Sequence, residues 1–261
     1  MKYLKLIFSP LKSVNKQTVS IIILIEIIFA LSIWQIAGGE LIPKPVKVFH
    51  AIVNILGSSD FYTNLMSSFG LTIKGMFFSI IIALVFSYLS MVQFFRPIAQ
   101  FLVKCRYLTL TGLIFLFTLL TNDGSQLKIS LLIFGIVPFF VTSLLTIFSQ
   151  IEEQEFELCT TLRMSSWRSV WEVVIIGRLD QVFEVLRQNF AISWMMITMV
   201  EGYAMSEGGL GTMLIKANKY IQLDRVFAVL AIILAIGILF DFLLSNLRHW
   251  FFPYTNLQSS K

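Results

Sequence analysis

The chain has 261 residues, of which 57% are hydrophobic and 13% charged, with a mean hydropathy of +0.82. Soluble domains carry about 25% charged residues, so the composition excludes a soluble protein and leaves room for one membrane domain of several helices. The net charge is +5, but the cations gather at the ends of apolar runs, which marks membrane topology and not nucleic-acid binding.

A bilayer core of about 30 Å needs roughly 20 apolar residues per helix. The first such run is Val19–Ala37, preceded by Lys2, Lys5, Lys12 and Lys16. It is too long for a signal-peptide core and reads as a retained anchor with a cytoplasmic amino terminus. Gly and Pro then mark a turn. After Pro45, the residues Val46, Phe49, Ile52, Val53 and Leu56 recur at helical spacing, which predicts a short amphipathic helix on the outer surface. Residues 1–60 therefore form an anchor plus an outer-surface segment, and residues 61–261 the core. The second span is Leu71–Val92. Lys104 and Arg106 shorten the third to about Leu108–Leu120, with an interfacial helix before it on the cytoplasmic side. "TNDGSQLK" reads as a plain turn. The fourth span, Ile129–Phe148, carries Pro138 near its middle, a kink that a membrane bundle accommodates. The fifth is Phe190–Met205 and the sixth Val226–Leu247. The expected fold is thus all-α, a polytopic bundle of about six spans. With Lys128 counted outside and Lys104 and Arg106 inside, the cations favour the cytoplasmic segments by roughly two to one.

This topology puts the polar stretch "EEQEFELCTTLRMSSWRSVWEVVII", residues 152–176, in the cytoplasm. Its acidic start suits a helix amino terminus. Trp167, Val170, Trp171 and Val174 fall on one face of a second helix, which Ser165 or Ser166 could cap. The pattern predicts helix, turn near Arg163–Ser166, helix. The tryptophans suit either an interfacial anchor or a helix presented to a cytoplasmic partner.

The segment resembles the EAA loop of ABC-importer permeases of the nitrate/taurine/aliphatic-sulfonate type, whose pattern is E-A-A-x3-G-x9-I-x-L-P. Glu157 matches the Glu, Leu158 and Cys159 stand for the alanines, Arg163 replaces the Gly and Ile176 the Pro. "LIPKPVKVFHAI" and "LRQNFAISWMMITMVEGYAMSEGGLGTMLIKA" match other family segments in order, through Trp194, Glu201 and Gly208–Gly211. The resemblance implies a type I importer permease core whose coupling loop spans residues 151–185. It implies cytoplasmic ATPase subunits, a second permease copy or paralogue, and an extracytoplasmic solute-binding protein as partners, in the cytoplasmic membrane with both termini inside. Glu157, Cys159, Arg163, Ser165 and Trp167 become candidate ATPase-coupling residues. Trp194, Glu201, Gly209 and Gly211 become gate or cavity candidates. The chain has no GxxxxGK[ST] phosphate loop, so ATP would be hydrolysed by another subunit. At the Arg163 position a Gly would turn the chain with positive φ, which Arg does at a cost; either the turn is built differently or the partner groove is acidic.

Other residues narrow the function further. Glu201 reads either as a gate residue or as a structural carboxylate at a helix end. Asp241 could pair with an Arg near the inner surface, Glu26 reads as a packed or protonated residue, and Lys74 can snorkel. No Arg falls at a span centre, so an anion pathway lacks an evident cation, while "SWMMITMV" and "GLIFLFTLL" suit either packing or a planar organic solute. Two cysteines and two histidines without ligand spacing make a metal site unexpected, and no cofactor is expected. The spans hold no Ser/His or paired-Asp constellation, which argues against a membrane enzyme. The alternative is a degenerate permease acting as a membrane scaffold without ATP coupling.

Overall fold

Apolar runs that cannot hydrogen-bond their backbone to lipid close it within helices, and the structure is helical throughout. It is a computed structural model that describes residues 16–39 and 42–253. Lys2, Lys5, Lys12, Lys261 and the Glu40–Leu41 part of the first turn lie outside these residues. The described helices are α1 (Lys16–Ala37), α2 (Pro45–Leu56), α3 (Ser59–Leu89), α4 (Arg96–Lys104), α5 (Leu110–Leu120), α6 (Gly124–Ser149), α7 (Glu153–Thr161), α8 (Ser166–Ser169), α9 (Leu179–Tyr203), α10 (Leu210–Lys219) and α11 (Leu223–Phe251). No strand occurs among the described residues.

Helix α6 is the axis of the bundle. Leu132, Ile136, Phe140, Val141 and Leu144 are fully enclosed, and the helix runs unbroken through Pro138. Helix α3 lies along it. Its buried stripe of Ser68, Thr72, Gly75, Ser79 and Ala83 is small at every position, which lets helix backbones approach closely in a membrane. At Gly75 the Leu132 side chain of α6 occupies the place a Cβ would take. Helix α9 packs on α6, α10 and α11.

Four described helices are long and apolar enough to cross a membrane: α1, α3, α6 and α11. The α4–α5 pair makes a fifth if its 112° bend is one broken span. The fifth expected span, Phe190–Met205, falls in α9, which has 25 residues but carries Asp180, Glu184 and Arg187 in its first part. A short third span, α5, follows a separate helix, α4. None of the spanning window of α1 is buried. Glu26 is exposed on it and is not packed. Trp34 ties its end to the rest, donating through Nε1 to the Pro43 carbonyl at 3.1 Å and meeting the Phe227 ring.

On α2 the residues Val46, Phe49, Val53 and Leu56 are exposed, while Val48, Ala51 and Ile55 pack into the core. The helix is apolar on two sides, and periodicity registered one of them. Other expectations change. Only residues 121–123 of "TNDGSQLK" lie outside a helix. Lys128 sits a turn into α6 and is only 1% exposed, no longer an outer-loop cation. Trp167 and Trp171 are 69% and 55% exposed, and the buried residues beside them are Ser169, Val173 and Val174. Residues Val170–Ile176 form a π-helix, which departs from the α-helical spacing that put Trp167, Val170, Trp171 and Val174 on one face.

Candidate functional site

The interruption between α6 and α9 is a helical hairpin built on one turn. Arg163 has φ +54°, the left-handed conformation in which Gly is usual. Its N–H donates to the Thr160 carbonyl at 2.9 Å, and the Met164 N–H reaches back to the Cys159 carbonyl at 3.0 Å. These two bonds are a Schellman motif, which satisfies the last carbonyls of α7. The turn is therefore built in the way a Gly would build it, with the strain borne by Arg163. Ser165 occupies the N-cap position of α8 without a side-chain capping bond. An ion pair between Glu155 and Arg178 ties α7 to the start of α9.

Of the five coupling candidates, Glu157, Arg163, Ser165 and Trp167 are exposed and Cys159 is buried. Leu158 and Leu162 are 62% and 60% exposed, so with Trp167 and Trp171 the segment exposes four large apolar side chains.

The second cluster lies where α9 ends. Glu201 is completely enclosed. Its Oε1 accepts from Ser68 Oγ at 2.7 Å and its Oε2 from the Gly211 N–H at 2.8 Å. Ser68 Oγ in turn accepts from the Leu210 N–H at 2.8 Å, and Asn64 Oδ1 from the Gly209 N–H at 2.7 Å. The first N–H groups of a helix have no partner within it, and here α3 and α9 supply partners for α10. Lys128 Nζ closes the cluster by donating to the Gly208 carbonyl at 3.1 Å. Gly208 and Gly209 have φ of +72° and +117°, and a Cβ at Gly209 would overlap the Glu201 carboxylate. Glu201, Gly209 and Gly211 thus meet as the sequence grouped them, yet they face one another and not an open cavity. The sequence reading missed Asn64, Ser68 and Lys128, and no spacing along the chain links them to Glu201. Trp194 stands apart, 5% exposed, with Nε1 donating to the Ile233 carbonyl at 3.0 Å and its ring beside Phe190 and Phe240. It anchors α9 on α11.

No known protein-family profile matches the chain. A protein of Bacillus subtilis (strain 168) assigned as the aliphatic sulfonates transport permease SsuC is 22% identical over 223 residues, covering 81% of this chain and 79% of that protein. A chain of the crystal structure of an amino acid ABC transporter with histidines superposes with a TM-score of 0.58 at 16% identity, over 79% of this chain and 94% of that one. The chain is a homologue of ABC-transporter permeases. It is a multi-pass membrane protein with the permease fold.

The chain carries one further polar device. Glu184, Arg187, Asp241 and Arg248 join α9 to α11. Arg187 bridges Glu184 and Asp241, both at 2.7 Å, and Arg248 reaches the other Glu184 oxygen at 2.7 Å. The partner expected for Asp241 is thus Arg187. The hydrogen bond from Arg187 holds the Glu184 carboxyl below its ordinary value, with partial burial opposing and the Arg187 and Arg248 charges adding.

Proposed function

We propose that this chain is the transmembrane subunit of an ATP-driven importer, forming half of a solute pathway with a second copy or a paralogue. The hairpin α7–α8 carries the reading. It exposes four large apolar side chains (Leu158, Leu162, Trp167, Trp171) on an otherwise polar element, which is what docking into a groove of a cytoplasmic ATPase requires. Closure of that ATPase on ATP would move the hairpin, and the Glu155–Arg178 pair would pass the motion to α9. Glu157 and Arg163 form the polar rim of this surface. The membrane is the cytoplasmic one with both termini inside, and an extracytoplasmic binding protein delivers the solute. Helices α1 and α2 are an accessory amino-terminal unit beside the core. The Glu201 cluster serves as the hinge post of the outer end, and Trp194 as its anchor. The relative's assignment to aliphatic sulfonates supports a small organic anion as cargo.

A scaffold without coupling is the second reading. The Arg163 geometry favours the importer, because the turn keeps its left-handed conformation although Gly is gone. The experiment is co-purification with a candidate ATPase, followed by ATP hydrolysis with and without the binding protein. Recruitment and stimulation are expected, with Trp167→Ala plus Leu158→Ala weakening recruitment about tenfold or more. Absence of both recruitment and stimulation would leave only the scaffold.

A further inference from the structure

Arg106 stands in the break between α4 and α5. Next to it, a Cβ on Gly135 would meet Leu110, the first residue of α5, at 3.3 Å. From there α5 returns to Gly124, the start of α6. The break is therefore level with Gly135–Phe139, about halfway along α6. The sequence reading had left Arg106 on a cytoplasmic interfacial helix and no Arg at any span centre; the 112° bend brings it to mid-depth.

Charged groups at the depth of a spanning helix are costly unless they face water, a partner group or a solute path. None of the four ion pairs between described residues includes Arg106. Its one hydrogen bond goes to the neighbouring Tyr107 hydroxyl at 2.9 Å, and its guanidinium lies over that ring. Arg106 opens on a cleft of about 310 Å³, with Thr109 and Thr111 along the same wall and Phe139, Met196 and Met199 opposite. Elsewhere in the spans Thr118, Thr142 and Thr146 return their hydroxyls to carbonyls one turn back. Those of Thr109 and Thr111 have no partner among the described residues.

We infer that this cleft is the subsite for a small organic anion: Arg106 and the two threonine hydroxyls hold an oxyanion head, and the methionines and Phe139 hold an apolar body. The inference rests on the permease reading and gives the cargo of that pathway a binding place. A guanidinium grips carboxylates and sulfonates through paired N–H donors, and thioethers adapt to apolar bodies of varied shape. The volume is enough for a short chain or a single ring.

The full chain in lipid nanodiscs would be titrated with butanesulfonate, butanoate, butanol and butylamine, reading saturation-transfer NMR. Both anions should bind, with butanol and butylamine at least about tenfold weaker. The two anions separate a sulfonate-selective site from a general carboxylate one, and either ranking supports the subsite. Arg106→Met should weaken anion binding about tenfold or more, with Arg106→Lys recovering part of it. Thr109→Val with Thr111→Val should weaken it several-fold while leaving thermal unfolding unchanged, since neither hydroxyl has a protein partner. Equal binding of all four probes, or unchanged anion binding by Arg106→Met, would overturn the inference. No ATPase is needed, so failed binding alongside normal ATPase recruitment refutes only the subsite. Failed recruitment refutes the importer reading.

Discussion

Replacing Arg163 by Gly should strengthen the hairpin. A non-glycine residue at φ +54° carries a cost of roughly 1–2 kcal/mol from its Cβ. Glycine removes that cost but gives the unfolded chain more freedom, which returns about 0.5–1 kcal/mol. The net gain is about 0.5–1 kcal/mol, or roughly a two- to fivefold shift in the local opening equilibrium. Two amides report it directly, because the residue-163 and Met164 N–H groups close the Schellman motif on Thr160 and Cys159. Hydrogen exchange of the full chain in nanodiscs should therefore slow two- to fivefold at both amides under conditions where exchange follows local opening. Arg163→Ala separates charge from conformation: it keeps the Cβ and should leave exchange close to that of the parent chain. Faster or unchanged exchange in Arg163→Gly, or an equal gain in Arg163→Ala, would refute the assignment of strain to this backbone. Function gives a second reading. If the turn geometry matters for docking, Arg163→Gly should keep ATPase stimulation, whereas Arg163→Pro should lose it, because Pro cannot reach positive φ and has no N–H to donate.

Glu201→Ala strands the Ser68 hydroxyl and the Gly211 N–H in an enclosed site, at about 1–3 kcal/mol for each. Thermal unfolding in detergent should show a loss of about 2–5 kcal/mol, and a loss below about 0.5 kcal/mol would contradict the cluster. Gly211→Ala should destabilise by about 1–3 kcal/mol or more, because its Cβ would meet the Thr198 backbone, and the same melts test it. The Glu184 carboxyl is held below its ordinary value chiefly by Arg187. Its stabilisation is therefore complete above the ordinary carboxylate range and is lost as pH falls toward the depressed folded value. Melts of the parent chain across acidic pH should show this loss, and Glu184→Gln should flatten that part of the profile; an identical profile would remove the ionised network. Ile221, with φ +54°, repeats the Arg163 geometry at the end of α10, where the Gln222 N–H donates to the Ala217 carbonyl at 2.9 Å. Ile221→Gly should slow exchange there by at least as much, because a β-branched residue fits this conformation worse.

The sequence by itself determined the membrane class, the short third span and the helix–turn–helix form of residues 152–176. Each depends on the length of an apolar run or on residues within a few positions of one another, and such local quantities survive in the linear order. It also grouped Glu201 with the glycines at 208–211, since they are neighbours in the chain. The tertiary structure decided what lies across helices. Lys128 and Ser68 meet the Glu201 loop from α6 and α3, and no periodicity shows that meeting. A helix apolar on two sides, such as α2, leaves the choice between protein and lipid to packing. The π-helix at 170–176 changes the pitch after Trp167, and Val174 is buried while both tryptophans are exposed, a split that α-helical spacing cannot register. The depth of Arg106 depends on a bend between two helices, so a charge that reads as interfacial along the chain stands halfway along α6 in the fold.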